Sequence, residues 1–283
     1  MRSVAFLRGL CVASLFIGVV APAHALIARV WVSGHGIDAP GCATPTNPCR
    51  TFQYVLTNIV SPGGEIDVLD PAGYGPMVIT QPISVVNNSG PAVVQASAGD
   101  AIAVNAPGGA AILLKGLEVF GLDTATNGLH FVSGGRLTVE SCSFRHFVND
   151  GALISSGGAL SLHMVDFSAS DNGQNGVEIA AGAVVKGRID NGGMDNNGAS
   201  GILFTGNNAD ILVSGDGFTG NTTGVLTSGS GSNRVIISRI GAIGNGTGVS
   251  STGGTSLFTY SNNAITGNTT TNVFGLLNPI PGL

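Results

Sequence analysis

Short stretches in which apolar and polar residues alternate recur along most of the chain, and turns rich in glycine and asparagine separate them. Residues 136–158, RLTVESCSFRHFVNDGALISSGG, show one full unit: two alternating runs, a polar turn and a third short apolar run. Alternation with a period of two predicts β-strands that bury one face. Because a unit of three such strands has no partner for its apolar face, it must stack on copies of itself.

Copies of this unit can be counted from residue 110 onward. They begin at residues 110, 136, 159, 184, 209, 234 and 256, at intervals of 22 to 26 residues. A glycine opens the third strand of the first six copies, at Gly128, Gly151, Gly176, Gly201, Gly224 and Gly248. An asparagine turn marks most copies, at Asn149, Asn172, Asn197, Asn221, Asn245 and Asn268. Stacked asparagines hydrogen-bond along parallel strands and tolerate tight corners, so the pattern predicts an all-β solenoid. The Asn-x-Thr triplets at 221, 245 and 268 fit ladder turns and glycosylation sites equally well.

The beginning of the chain has a different pattern. Residues 1–25 combine two arginines, an apolar run at 10–20 and the small-x-small sequence Ala23-His24-Ala25, which is typical of a secretory signal cleaved near Ala25. A membrane anchor is the alternative, but the run is short and Pro22 follows it. No later segment has the ~20 consecutive apolar residues of a transmembrane helix. We therefore expect a protein located in the periplasm, at the cell surface or outside the cell.

Residues 26–64 are predicted to form a cap that covers the first coil of the solenoid. An alternating run at 29–33 predicts a strand, and apolar positions at helical spacing within 50–59 predict a helix. Cys42 and Cys49 flank a short loop, and in a secreted chain they predict a disulfide. Two free or metal-binding thiols are the alternative, although no histidine or further cysteine lies nearby at ligand spacing.

Charge excludes some partners. Charged residues make up only 10% of the chain, and without residues 1–25 it has 9 basic and 16 acidic residues, a formal net charge of 9 − 16 = −7. This balance offers no basic patch of the kind that nucleic acid or an anionic membrane needs.

The repeat units resemble those of the right-handed parallel β-helix superfamily, whose best-known members are pectate and pectin lyases. The resemblance rests on coils of 22 to 26 residues with two apolar-x-apolar runs, an asparagine turn and a glycine-apolar run, and it covers about residues 65–275. The stretch VLDPAGYGP at 68–76 also resembles the first coil of many bacterial β-helix proteins. The predicted organisation is a signal peptide at 1–25, a strand-helix cap at 26–64 and a right-handed parallel β-helix at 65–283.

The resemblance implies a cleft beside the third strand of each coil. The outward-facing column on that strand contains His130, Leu153, Glu178, Leu203, Leu226 and Ser250. Glu178, Asp171 and Asp150 are candidate catalytic carboxylates for acid-base chemistry on a polysaccharide, with His130 and Asp195 as candidate substrate-binding residues. Converging carboxylates would also suit Ca²⁺, although no metal or other cofactor is required. The alternative is that these aspartates only form turns, because the signatures of pectate lyases and polygalacturonases are missing.

Two further columns describe the first corner of each coil. Lys115, Glu140, His163 and Arg188 are predicted to form a surface ladder of alternating charge. The next column aligns Leu117, Cys142, Val165, Asp190, Asp216, Ile240 and Asn263. Carboxylates in this column would either enter the core, which is costly, or reveal a register slip of one residue. We favour the slip, and we expect Cys142 to be an inert core thiol.

The leading hypothesis is a secreted, non-catalytic β-helix that binds an extracellular polymer such as a polysaccharide. The first alternative is a polysaccharide lyase or hydrolase that uses Glu178 with Asp150 or Asp171. The second is a structural or adhesive surface protein that associates through Leu153, Leu203 and Leu226. The sequence leaves the ligand and the oligomeric state open.

Overall fold

A computed structural model describes residues 26–229 and 233–280 of the chain. The predicted signal peptide at 1–25 lies outside the described residues. In the described part, no helix is long and apolar enough to cross a membrane.

The described residues form one helix and many short strands. In chain order these are β1 (Ile27–Val32), α1 (Phe52–Asn58), β2 (Val60–Val68), β3 (Ala72–Gly73), β4 (Met77–Ile79), β5 (Ile83–Asn87), β6 (Ala92–Gln95), β7 (Ile102–Asn105), β8 (Ala111–Lys115), β9 (Leu117–Phe120), β10 (Leu129–Ser133), β11 (Arg136–Glu140), β12 (Ser143–Arg145), β13 (Ala152–Ile154), β14 (Leu160–Val165), β15 (Ser168–Ser170), β16 (Val177–Ile179), β17 (Val185–Asp190), β18 (Gly193–Asp195), β19 (Ser200–Phe204), β20 (Ala209–Ser214), β21 (Gly217–Thr219), β22 (Thr223–Thr227), β23 (Arg234–Ser238), β24 (Gly241–Ile243), β25 (Thr247–Ser251), β26 (Ser256–Thr259), β27 (Ala264–Thr266), β28 (Thr271–Phe274) and β29 (Leu277–Pro279).

These strands stack into three parallel sheets that enclose one apolar core. The first sheet contains β1 and then every third strand from β2 to β29, the second runs from β3 to β27, and the third runs from β4 to β28. Each coil contributes one strand to each sheet. The predicted all-β solenoid of parallel coils is therefore confirmed. The positions in 136–158 that the alternation predicts to face inward are all buried: Leu137, Val139, Cys142, Phe144, Ala152 and Ile154.

Left-handed backbone at one position per coil turns the chain from the first sheet into the second. Positive φ angles recur at this corner, at Gly116, Ser141, Asp166, Asn191, Gly215, Arg239 and Ser261. Gly116 has a second reason to be glycine, because a Cβ there would lie 2.4 Å from the carbonyl oxygen of Asn87. The corner between the second and third sheets repeats the device, for example at His146, Asp171 and Asn196. Small and polar residues at the corners therefore reflect backbone geometry.

An asparagine ladder runs inside the turn that precedes the third sheet. Its members are Asn172, Asn197, Asn221, Asn245 and Asn268, and it ends at Asn272. Each side-chain Nδ2 donates to the Oδ1 of the next member at 3.0–3.2 Å. Asn149 is the exception to the prediction, because Phe147 occupies the ladder position in its coil and donates its N–H to Asn172. Asn149 instead accepts from Gln174 on the surface.

The strand register observed in the first sheet differs from the alignment predicted for the two columns at the first corner. Arg136 pairs with Ser161, so the coil starts predicted at 159 and 184 were two residues early. Val165 and Asp190 consequently lie on the first sheet beside Glu140. A register slip is confirmed for these two residues, although it amounts to two residues rather than one.

The predicted ladder of four charges is wrong for the same reason. Lys115 Nζ lies 2.6 Å from Glu140 Oε1 and forms the expected ion pair. His163 and Arg188 align with Thr138, which lies two residues before Glu140 on the same strand. Arg188 Nε lies 2.8 Å from Asp190 Oδ2, so this aspartate receives a cation from its own strand.

Asp216 was also a candidate for the register slip, but its predicted alignment is correct. Its carboxyl group therefore does enter the core. It aligns with Leu117, Cys142 and Ile240, and it is 2% exposed. Its Oδ1 accepts a hydrogen bond of 2.6 Å from the N–H of Gly192, the residue opposite it in the preceding coil. Burial raises the pKa of Asp216 to about 8, so the core holds it as a neutral acid at pH 7. Burial also raises the pKa of the Cys142 thiol to about 11, which agrees with an inert core cysteine.

The N-terminal segment combines with the first coil. Strand β1 pairs with β2 and extends the first sheet, while α1 packs against β2 and β4. The predicted disulfide between Cys42 and Cys49 is present. Burial alone would raise the pKa of Asp70, but hydrogen bonds from Gly34, Ser33 and Tyr74 outweigh it and hold the pKa well below its usual range. This carboxylate ties the cap loop to the first coil, while the domain boundary at residue 64 stays a prediction.

Candidate functional site

The outward column on the third sheet has the register that the sequence predicts. His130 pairs with Leu153, which pairs with Glu178, and the column continues through Leu203, Leu226 and Ser250. The first five side chains are partly exposed, whereas Ser250 is buried. The glycine that opens each third strand fixes this alignment, so the register errors at the first corner do not reach it.

A second polar column lies at the start of the same strands. It contains Asp100, Asn127, Asp150, Asn175 and Ser200 on successive coils. Asn127 Nδ2 donates to Asp100 Oδ1 at 2.8 Å, and Asn175 Nδ2 donates to Asp150 Oδ1 at 2.9 Å. Together with His130, Glu178, Ser155 and Thr205, these residues form a continuous network that we name the third-sheet polar cluster.

His130 links three successive coils of this cluster. Its Nδ1 lies 2.8 Å from Asp100 Oδ2, and its Nε2 lies 3.0 Å from the hydroxyl oxygen of Ser155. An ionised Asp100 accepts a hydrogen bond from Nδ1–H, which leaves Nε2 as the acceptor for the Ser155 hydroxyl. The His130 side chain is 26% exposed and that of Asp100 is 20% exposed, so solvent and small solutes reach the pair.

Glu178 and Asp150 are held together by a shared donor. Asn175 Nδ2 lies 2.9 Å from Asp150 Oδ1 and 3.2 Å from Glu178 Oε2, so these two oxygens are at most 6.1 Å apart (2.9 + 3.2). The other oxygen of Glu178 accepts a hydrogen bond of 3.0 Å from the hydroxyl of Thr205. This upper limit allows the separation of about 5–5.5 Å that retaining glycoside hydrolases use.

The two carboxylates differ in access to solvent. A catalytic carboxylate should face outward, but the candidate Asp150 is 4% exposed and shares the donor Asn175 with Glu178. Burial raises the pKa of Asp150 to about 6; hydrogen bonds from Asn175 and the charge of His130 lower it, while the charge of Glu178 raises it. Asp150 therefore binds a proton more readily than an ordinary aspartate, whereas Glu178 is the carboxylate that an external ligand can touch.

The structure separates the other two candidates from this cluster. Asp171 lies at the second corner with a φ of 56°, and it lines a shallow groove with Asp123 and Asn196. Asp195 lies on β18 in the second sheet. Burial raises the pKa of Asp195, and the charge of Asp171 adds to the rise. The predicted grouping of Asp171 with Glu178 therefore does not form, because Asp171 approaches Asp195 instead.

Sequence reasoning missed several members of the cluster. Asp100 precedes the first countable unit, so no alignment placed it beside Asn127. Ser155 looks like an ordinary turn residue in the sequence Ser-Ser-Gly-Gly. The signal that could have found both is the spacing of about one coil from His130, namely 30 residues to Asp100 and 25 to Ser155.

No metal centre is evident at the cluster. Within residues 26–229 and 233–280, no group of three histidine, cysteine, aspartate or glutamate side chains is arranged to hold a metal ion. The suggested Ca²⁺ would have only the Asp150–Glu178 pair as its starting ligands, and it stays a prediction.

Three stacked parallel sheets with one strand per coil define a β-solenoid. A family model described as "Right handed beta helix region" matches residues 127–276, which is more than half of the chain. The chain belongs to this family, and the predicted right-handed fold is confirmed.

A solved structure shows the same architecture. The crystal structure of the pectate lyase Pel9A is similar to this chain with a TM-score of 0.63 and 18% sequence identity, over 86% of this chain and 71% of that one. At this identity the likeness concerns the fold alone. No curated protein sequence matches the chain.

Proposed function

We propose that the protein binds an extracellular polysaccharide along the third-sheet polar cluster. The observation that carries this proposal is that each of five successive coils places one partly exposed polar side chain of the cluster at the surface: Asp100, His130, Ser155, Glu178 and Thr205. Five coils span four strand spacings, or about 19 Å, which is long enough to contact several units of a polymer.

The charge of the third-sheet polar cluster indicates whether a neutral or an acidic polysaccharide would bind. The cluster presents two partly exposed carboxyl groups, those of Asp100 and Glu178, and one histidine, with the carboxyl group of Asp150 buried next to Glu178. Carboxylates accept hydrogen bonds from hydroxyl groups, but they repel a polyanion. The structural neighbour is named for pectate, which is an acidic polymer, whereas this surface favours a neutral, hydroxyl-rich one.

Location outside the cytoplasm supports the same proposal. The disulfide between Cys42 and Cys49 is typical of proteins that mature in an oxidising compartment. The secretory signal predicted for residues 1–25 adds a second, independent argument.

Affinity electrophoresis in gels that contain neutral polysaccharides, or polygalacturonate, tests the proposal. We expect a neutral polymer to retard the protein and Glu178→Ala to weaken that retardation at least tenfold. Glu118→Ala is the matched control, because Glu118 is a partly exposed glutamate on the second sheet. Equal loss in both variants, or no retardation by any neutral polymer, would contradict the proposal.

One observation favours a catalytic alternative at the same site. Glu178 and Asp150 share a donor and Asp150 has a raised pKa of about 6, an arrangement that can supply an acid and a base. A hydrolase or lyase built on this pair should release new chain ends, and Glu178→Gln should abolish that release. The adhesive alternative has weaker support, because Glu178 interrupts the leucine column between Leu153 and Leu203.

A further inference from the structure

We infer that Ser155, His130 and Asp100 form a nucleophile–base–orienter triad that hydrolyses esters. The inference deepens the proposed function, on which its choice of polymeric substrate rests. It goes beyond the carboxylate pair, because the reacting group is a serine hydroxyl and the bond cleaved is an ester rather than a glycosidic bond.

The distances among Ser155, His130 and Asp100 are those of a catalytic triad. The hydroxyl oxygen of Ser155 lies 3.0 Å from His130 Nε2, and Nδ1 on the opposite side of the ring lies 2.8 Å from Asp100 Oδ2. Both distances fall within the range expected for a nucleophile with its base and for a base with its orienting carboxylate. The triad is recognised by such geometry and not by chain order, which here is Asp, His, Ser.

The fold holds the three side chains of the triad in place. Asp100 precedes β7, His130 is the second residue of β10 and Ser155 follows β13, so three neighbouring coils each supply one group. The second oxygen of Asp100 accepts a hydrogen bond of 2.8 Å from Asn127, which fixes the carboxylate. The parallel register of β7, β10 and β13 then holds the three side chains in line.

The chemistry balances without a cofactor. The Ser155 oxygen forms a bond to the ester carbonyl carbon while its proton passes to His130 Nε2. The bond from carbonyl carbon to the alcohol oxygen breaks, and the departing alcohol takes that proton. Water then attacks the acyl-serine, its proton passes to His130 and on to Ser155 as the acid leaves. The net reaction is ester plus water to acid plus alcohol.

A hydrogen bond of the Ser155 backbone determines how fast we expect ester hydrolysis to be. The backbone N–H of Ser155 donates to the carbonyl oxygen of Phe131 at 3.0 Å, so it is not free to stabilise an oxyanion. Loss of one such donor costs other hydrolases about 10²–10³ in kcat. We therefore expect slow turnover, measurable with an activated ester, and covalent capture of Ser155 as the more sensitive signal.

The surroundings indicate the class of ester. Glu178 and Thr205 lie further along the same cluster and can hold the hydroxyl groups of a neutral polymer. An ester between a small acyl group and a sugar hydroxyl, such as an O-acetyl substituent, would bring its carbonyl to Ser155. We propose O-acylated neutral polysaccharides as the substrate class.

The test is covalent labelling with a fluorophosphonate probe, followed by peptide mapping by mass spectrometry. We expect the probe on Ser155, no label there in Ser155→Ala, and labelling slowed by at least about 100-fold in His130→Gln. Ser161→Ala is the matched control, because Ser161 is an exposed serine on the first sheet. Hydrolysis of p-nitrophenyl acetate should follow the same order. An unlabelled Ser155 in the folded wild-type protein would overturn the inference.

Asp100 is a positioning residue, since it acts through His130. Asp100→Asn should shift the ring proton from Nδ1 to Nε2 and suppress labelling of Ser155. The ¹⁵N chemical shifts of the His130 ring report this change directly, and a merely structural role would leave labelling intact. Labelling of Ser155 without binding to any polysaccharide would retain the triad and reject the proposed function. Binding without labelling would do the reverse.

Discussion

Asp216 shows how a single residue can depart from the repeat without breaking it. Its neighbours in the column are apolar, and the preceding coil has Gly192 at the opposing position. A Cβ on Gly192 would lie 2.8 Å from Asp216 Oδ1, so the glycine makes room for the carboxyl group. The Gly192 N–H satisfies one oxygen, and Oδ2 has no hydrogen-bond partner within the described ranges. A protonated acid is the form that this pocket tolerates.

The raised pKa of Asp216 predicts a pH-dependent stability. The folded pKa is about 8, and that of the unfolded chain is close to 3.8. Between these values the folded state retains a proton that the unfolded state releases, so the free energy of unfolding falls as pH rises from about 4 to 8. Asp216→Asn should flatten this dependence in thermal unfolding at pH 5 and pH 8. The control is Asp210→Asn, a change at an exposed aspartate of the first sheet, and an equal flattening there would contradict the assignment.

Residue-level prediction from sequence succeeded where one motif fixes the register. The glycine that opens each third strand aligned His130 with Leu153 and Glu178 correctly. At the first corner no such marker exists, so Val165 and Asp190 were displaced by two positions. Cross-coil contacts depend on the exact length of each turn, which alternation alone does not specify.

At the scale of elements, the asparagine ladder is a buried polar connection that runs through successive coils. Asn197 Oδ1 accepts from the N–H and Nδ2 of Asn172, while its own Nδ2 donates to Asn221 and to the carbonyl oxygen of Ala169. All of these groups are buried. Removing the side chain therefore leaves several donors and acceptors without partners, each at a cost of about 1–3 kcal/mol.

Asn197→Ala should accordingly lower the free energy of unfolding by about 3 kcal/mol or more. Urea denaturation monitored by circular dichroism measures the change. Asn149→Ala is the matched control, since Asn149 lies outside the ladder and bonds Gln174 on the surface. A similar small loss in both variants would show that the ladder adds little to stability.

The strands themselves were predicted well because each is short, alternating and bounded by glycine or asparagine. Predicted coil starts at 136, 209, 234 and 256 coincide with the first residues of β11, β20, β23 and β26. The cap was predicted by the same means, and its helix forms within the predicted segment. Asp100 and Ser155 could not be predicted as partners, because neither belongs to an alternating run.

At the scale of the whole molecule, pairing is complete in the middle of the described solenoid and one-sided at its edges. Strand β16 pairs with β13 and β19, whereas β28 pairs with β25 alone in the described part of the chain. Phe274 on β28 is 58% exposed. Stability in such stacks is a sum of neighbour interactions, so coils with one neighbour open first.

Hydrogen exchange should reveal this gradient. We expect amides of β28 to exchange at least about tenfold faster than those of β16. At the other edge, β1 and α1 cover the first coil, so β2 should exchange more slowly than β28. Uniform protection along the solenoid, measured by mass spectrometry of peptic fragments, would argue for a single cooperative unit instead.

The asparagine ladder also gives the solenoid a net dipole along its axis. Along the parallel strands, backbone N–H groups point alternately to the preceding and following coil, so their dipoles largely cancel. The side-chain carbonyls of the ladder do not alternate: from Asn172 to Asn268, every Oδ1 accepts from the coil before, although each Nδ2 also donates to a backbone carbonyl oxygen of the preceding coil. Their dipoles therefore add along the axis and polarise one another. One row of neutral side chains thus makes the two ends of the stack electrostatically different, although no charged residue takes part.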